Sequence, residues 1–205
     1  VNYKGLKGKE SNLDKYLKQL EGTKIESNWS EDKQLAFWIN AYNAYTIKMI
    51  LDNYPVAKIT DLHNGKPWDH KWIKLNGKTL SLNNIENDII RPEFKEPRIH
   101  FAVNCAAKSC PPLLNEAFTS EKLDAQLESQ TKKFINNSNY NTLENGKIAV
   151  SKIFDWFESD FKPVGGVQKF AIKYLDLSPE KRAQALSAKI RLSHFKYNWG
   201  LNEIK

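Results

Sequence analysis

Residues 35–51 read LAFWINAYNAYTIKMIL. The run is apolar on nearly every side of a 3.6-residue period, so it is expected as a helix buried all round. Ser30 precedes it as an N-cap, with Glu31 and Asp32 in the first turn, where carboxylates favour the helix dipole. Asn53, Tyr54 and Pro55 end it. Asn40, Asn43 and Lys48 interrupt the apolar run, which excludes reading it as a membrane span. A helix with no polar face must be covered by the rest of the chain, and that requirement organises the fold.

The flanking segments supply the cover. SNLDKYLKQLE at 11–21 places Leu13, Tyr16, Leu17 and Leu20 on one helical face. PWDHKWIKLNGKTLSL at 67–82 reads as a hairpin about Asn76–Gly77. Ser81 can cap a short helix, LNNIENDII, ending at Arg91–Pro92. RIHFAVNC at 98–105, β-branched and aromatic, is expected as a strand. Thr119 or Ser120 caps a helix running to about Ile135, and Asn145–Gly146 turns the chain into KIAV. Ser151 can cap KIFDWF, Pro179 begins a helix at its first position, and IRLSHFKY reads as a strand. Helices outnumber strands, and the strands are scattered among them. The expectation is an α+β chain forming a single compact domain over 1–205, helices predominating around a small, mainly antiparallel sheet.

Composition narrows the function. With 40% hydrophobic, 12% aromatic and 27% charged residues, the 205-residue chain can bury a substantial core. The net charge of +7 rests on 31 basic residues, of which only Arg91, Arg98, Arg182 and Arg191 are arginine. The lysines form no basic block, so nucleic acid is not an expected partner. No phosphate-binding glycine loop, G-x-S-x-G elbow or H-E-x-x-H helix is present, and no cofactor is expected.

Three segments carry a family likeness: AFWINAYNAYTIKMIL at 36–51, the stretch from Trp72 through SLNNIENDIIRP, and PRIHFAVNCAAKSCPPL at 97–113. KIFDWFESDF and the closing YNWGLN match more weakly. From about residue 30 to the end, the chain resembles the domain of unknown function 547 family. The H-F-A-x-N-C-x4-C-P run is the most specific element. Where the family pattern has Tyr-Asp-Trp, this chain has Tyr197–Asn198–Trp199. The resemblance implies kinship with bacterial envelope and plant proteins, and therefore export to the periplasm or envelope. The opening VNYKGLKGKE has no signal-peptide pattern of its own. The resemblance implies no reaction, substrate or oligomeric state.

Candidate chemistry centres on residues 100–110. Alternation in a strand would send Ile99, Phe101, Val103 and Cys105 to the core and project His100 and Asn104 from the other face. Cys110, at a Pro-rich turn, is the candidate nucleophile and His100 its base, as in thiol hydrolases and acyltransferases of papain-like or transglutaminase-like character. Asn40 and Asn43 share a helix face and can donate to an oxyanion or orient the imidazole; equally, they can pin a neighbouring loop. Glu86 is either a solvent-facing acid or, given the family's emphasis on an Ile-Glu pair there, an orienter of His100 or a metal ligand. Arg98 and Arg91 can hold a substrate carboxylate or simply form surface ion pairs. The spacing His100-x4-Cys105-x4-Cys110 matches no common zinc pattern, and no metal is expected. Two functions therefore stand side by side. One is a thiol enzyme using Cys110, His100 and Glu86, with Asn40, Asn43, Asn104 and Arg98 at the substrate. The other is a non-catalytic envelope module with a Cys105–Cys110 disulfide, whose surplus of tryptophan stacks on a glycan or peptide.

Overall fold

The apolar run forms the expected helix, Glu31–Asp52, in a computed structural model that describes residues 1–144, 147–187 and 190–204. The Ser30 side chain accepts from the Lys33 N–H, closing the N-terminus. Ile39, Ala41 and Ile50 are completely buried, and Trp38 and Tyr42 nearly so. The helix Ser11–Gly22 lays Leu17 and Leu20 against it. A hairpin, β1 (Ile73–Leu75) with β2 (Lys78–Leu80), covers another side. Its turn residues Asn76 and Gly77 both have positive φ (48° and 73°), which is why Asn-Gly serves there.

A second apolar cluster gathers Phe101, Phe134, Phe154, Phe161 and Phe170. It is built by helices Leu123–Ile135 and Gly166–Tyr174, by short turns at Ile153–Trp156 and Glu158–Phe161, and by the helix Pro179–Ser187. A three-stranded sheet flanks it in the order β3 (Thr142–Glu144), β4 (Lys147–Val150), β5 (Arg191–His194). β3 and β4 are antiparallel, whereas β4 and β5 are parallel, with Val150 opposite His194. The expected turn at Asn145–Gly146 lies outside the described residues. No helix among the described residues is long and apolar enough to cross a membrane. The architecture is α+β with helices predominating.

Two local expectations are corrected. RIHFAVNC is not a strand: Pro97–Phe101 is a 3-10 turn, and the chain then continues irregularly. The Glu96 carboxylate accepts from the Arg98 N–H at its start, and Pro97 sits where no donor is needed. Strand alternation assumes one wet face, but this segment runs between the two apolar clusters. Ile99, Ala102 and Val103 belong to the first and Phe101 to the second, while His100 and Asn104 are buried as well (2% exposed each). With no solvent side, period-2 patterning has nothing to report.

The second correction concerns LNNIENDII. It forms a π-helical stretch, Asn84–Ile90, in which the Arg91 N–H reaches back to the Glu86 carbonyl. The wider turn carries Glu86 inward rather than into solvent; only 7% of it is exposed. The helical path does not stop at Arg91–Pro92 but runs on through Arg91–Phe94, ending at Lys95 in the left-handed region (φ 49°). Pro92 is tolerated there because it falls in the first turn of that segment.

Candidate functional site

Where the two clusters meet, a cleft of about 160 Å3 opens, lined by the π-helical stretch, the 100–111 segment and the C-terminal Tyr197–Trp199. Its walls are mostly aromatic: Tyr42, Trp68, Trp156, Phe157, Tyr197 and Trp199. Trp199 packs edge-on to Trp68 at 5.6 Å and stacks on Trp156 at 5.5 Å. Tyr197 touches both Trp156 and Trp199, so the rim is one continuous ring system.

Two titratable groups interrupt this surface. Glu86 is withdrawn from water, and burial pushes its carboxyl up to about 7, against the opposing pull of the Tyr42 hydroxyl and the Arg91 charge. Tyr42 and Trp68 line the same cleft wall as Glu86. Near neutral pH Glu86 is thus divided between its acid and carboxylate forms.

His100 stacks on Phe157 at 4.0 Å, and its Nε2 lies 2.8 Å from Asp160 Oδ2. Burial alone would raise the Asp160 carboxyl. Hydrogen bonds from Arg91 and His100 outweigh it and hold the group well below the usual carboxylate range. Arg91 grips the same carboxylate in a fork, Nε at 2.6 Å and Nη2 at 2.8 Å. An ionised carboxylate only accepts, so Nε2 carries the proton. Burial keeps the imidazole below its ordinary pKa and therefore neutral, despite Asp160. The lone pair is then on Nδ1, which is buried and has no hydrogen-bond partner. An acceptor held this way is a base, or a docking point for a ligand donor.

His100, Glu86, Cys105 and Cys110 all line this one cleft. The cysteines are joined as a disulfide, with Cα atoms 6.1 Å apart, and Cys110 is 6% exposed. In this state Cys110 has no thiol to deprotonate. The other candidate residues do not line the cleft. Asn40 donates to the Phe118 carbonyl and accepts from the Phe118 N–H. Asn43 does the same between Ala102 and Asn104, fixing the segment that carries His100. Asn104 holds Pro111, Ala106 and Asn202. Arg98 pairs with Glu96, Asp124 and Glu128. Their polar atoms are spent on the scaffold. Removing one such clamp strands buried backbone groups, so Asn43→Ala is expected to lower stability by about 2 kcal/mol, read from the urea midpoint. An unchanged midpoint would contradict that role.

Sequence reasoning did not find Asp160, Tyr42 or Phe157 as site residues. Asp160 lies 60 residues from His100 and 69 from Arg91 along the chain, and it sits in a stretch with ordinary helix composition. Only the singling out of Arg91 gave a signal. No group of three or more His, Cys, Asp or Glu side chains among the described residues is arranged to hold a metal ion.

These features define an α+β protein with a buried acid and a neutral, oriented imidazole in an aromatic cleft. The chain belongs to the family described as "Protein of unknown function, DUF547", which it matches over residues 26–135, more than half its length. The matched part carries Tyr42, Glu86, His100 and both cysteines; Trp156, Asp160, Tyr197 and Trp199 lie beyond it. No curated protein and no solved structure matches the chain.

Proposed function

We propose that the protein is a binding module whose cleft takes a neutral, ring-shaped ligand, best met by a sugar unit of a glycan. The unpartnered Nδ1 of His100, a residue that lines the tryptophan-walled cleft, carries this reading. A pyranose offers an apolar face to stack on Trp156 or Trp199 and hydroxyls to donate to Nδ1. Protonated Glu86 supplies a donor to a ring or hydroxyl oxygen. An anionic ligand would find no counter-charge, because Arg91 is already neutralised by Asp160. A location in the bacterial envelope, where disulfides persist, is part of the proposal.

The competing reading, a Cys110-dependent hydrolase or acyltransferase acting on a peptide, requires the sulfur that is here bonded to Cys105.

Calorimetric titration with neutral oligosaccharides tests the proposal. Trp156 is 44% exposed, so Trp156→Ala should fold normally and bind about tenfold more weakly, the loss of one stacking contact. Affinity should also fall as pH rises through about 7, where Glu86 loses its donor proton, and Glu86→Gln should abolish that dependence. Absence of heat with every neutral oligosaccharide tried, or equal affinity in Trp156→Ala, would overturn it.

A further inference from the structure

The Cys105–Cys110 bond is poorly placed to be a structural staple. It joins residues separated by only 5 positions, so it removes little freedom from the unfolded chain. The loop it closes is also held without it. Lys108 N–H donates to the Gly200 carbonyl at 2.8 Å, Ser109 N–H to Asn198 at 3.2 Å, and Cys110 N–H to Ala107 at 3.1 Å. Ala107 bridges to Leu201, and Asn104 ties Ala106 to Pro111 at the loop's two ends. Breaking the sulfur bond therefore leaves both cysteines where they are, on the wall of the cleft.

Each sulfur also has a donor already aimed at it. The Cys105 N–H lies 2.8 Å from Cys110 Sγ. The Tyr197 hydroxyl lies 3.1 Å from Cys105 Sγ, and since a bonded sulfur carries no proton, the hydroxyl is the donor. Such donors add little to a neutral disulfide and much to a thiolate.

We propose that this disulfide is a thiol–disulfide exchange centre, opened by a low-molecular-weight thiol entering the cleft. The thiolate attacks the sulfur of Cys105, the more exposed of the two residues. A sulfur–sulfur bond forms to the reductant, the Cys105–Cys110 bond breaks, and Cys110 leaves as a thiolate received by the Cys105 N–H. A second thiol, from the same dithiol or another molecule, attacks the reductant's sulfur in the mixed disulfide. Cys105 is released as a thiolate beside Tyr197. Two electrons pass from the reductant to the protein, the two released thiolates exchange protons with water, and the reductant departs as its own disulfide. The proposal is independent of glycan binding, because its chemistry lies in the wall of the cleft and not in its occupant.

The test uses the native protein, purified without reductant, treated with dithiothreitol at neutral pH and then alkylated. The expected result is two alkyl groups per chain, with circular dichroism and the thermal midpoint unchanged. Glutathione should give a mixed disulfide that peptide mapping assigns to Cys105, and Tyr197→Phe should slow its onward reduction to the free Cys105 thiol several-fold. The double variant Cys105→Ser, Cys110→Ser should keep the wild-type thermal midpoint. The proposal is overturned if the bond resists dithiothreitol until denaturant is added, or if reduction unfolds the protein. An adduct found on Cys110, or two free thiols before any reductant is added, would overturn it equally.

Discussion

Phe101→Ala is expected to lower the unfolding free energy by about 3–5 kcal/mol, the usual cost of deleting a buried aromatic side chain. Phe101 is completely buried and packs on Phe134, Phe154, Phe161 and Phe170, with centroids 5.3–6.3 Å away. Those rings come from two helices and two short turns. The resulting cavity could close only if several elements moved together. Because Phe101 follows His100 directly, the same change loosens the 3-10 turn that presents the imidazole. Urea unfolding checks the magnitude; a midpoint close to wild type would mean that Phe101 does not link the two clusters.

The second large effect is a stability gain that grows as pH rises from about 4.5 to about 7 and persists at alkaline pH. Burial raises the Glu86 carboxyl from 4.5 to about 7, so between these values the native state holds a proton that the unfolded chain has lost. The favourable contribution of the proton is fully present below about 4.5 and is lost as pH rises through about 7. A displacement of this size corresponds to about 3 kcal/mol. Glu86→Gln carries no charge at any pH and should match wild type below about pH 4.5, then exceed it progressively, reaching that amount above about pH 7. Asp160 works in the opposite sense, since its carboxyl is held below 3.8; its contribution is lost only as pH falls below that value. The two windows do not overlap. Parallel stability curves for wild type and Glu86→Gln would show that Glu86 is not held in its acid form.

The elements legible in the sequence are those whose cause is local. The helix Glu31–Asp52 follows from its own periodicity and its Ser30 cap, and the hairpin from the Asn76–Gly77 turn. The helix at Leu123–Ile135 was expected to start from Thr119 or Ser120; it starts later, after a turn in which Lys122 N–H bonds the Thr119 carbonyl. The failures share one cause, which is burial on every side. Residues 98–105 have strand-like composition because both apolar clusters claim them, and Glu86 looks solvent-facing on an α-helical wheel that its π-helical turn does not obey.

Part of the site was equally legible. His100, Glu86 and the two cysteines were singled out, and they do line one cleft. The role of the asparagines as loop clamps was one of two readings that spacing left open; their hydrogen bonds to Phe118 and Ala102 show how they are used. Asp160 could not be found, because the feature that matters is its position between Arg91 and His100, and that exists only once the chain is folded.

The tryptophan rim has a spectroscopic consequence. Of the six indoles, Trp68, Trp156 and Trp199 line the cleft, close enough for their excited states to couple, and the cleft wall also carries a disulfide, an efficient quencher of indole emission. Trp38 and Trp72 belong to the apolar cluster around the long helix. The chain therefore carries its own optical probe. Opening the disulfide should brighten emission from the rim, and an occupant wedged between the rings should change the exciton bands of the circular dichroism spectrum, so the two states of the cleft can be told apart without a label.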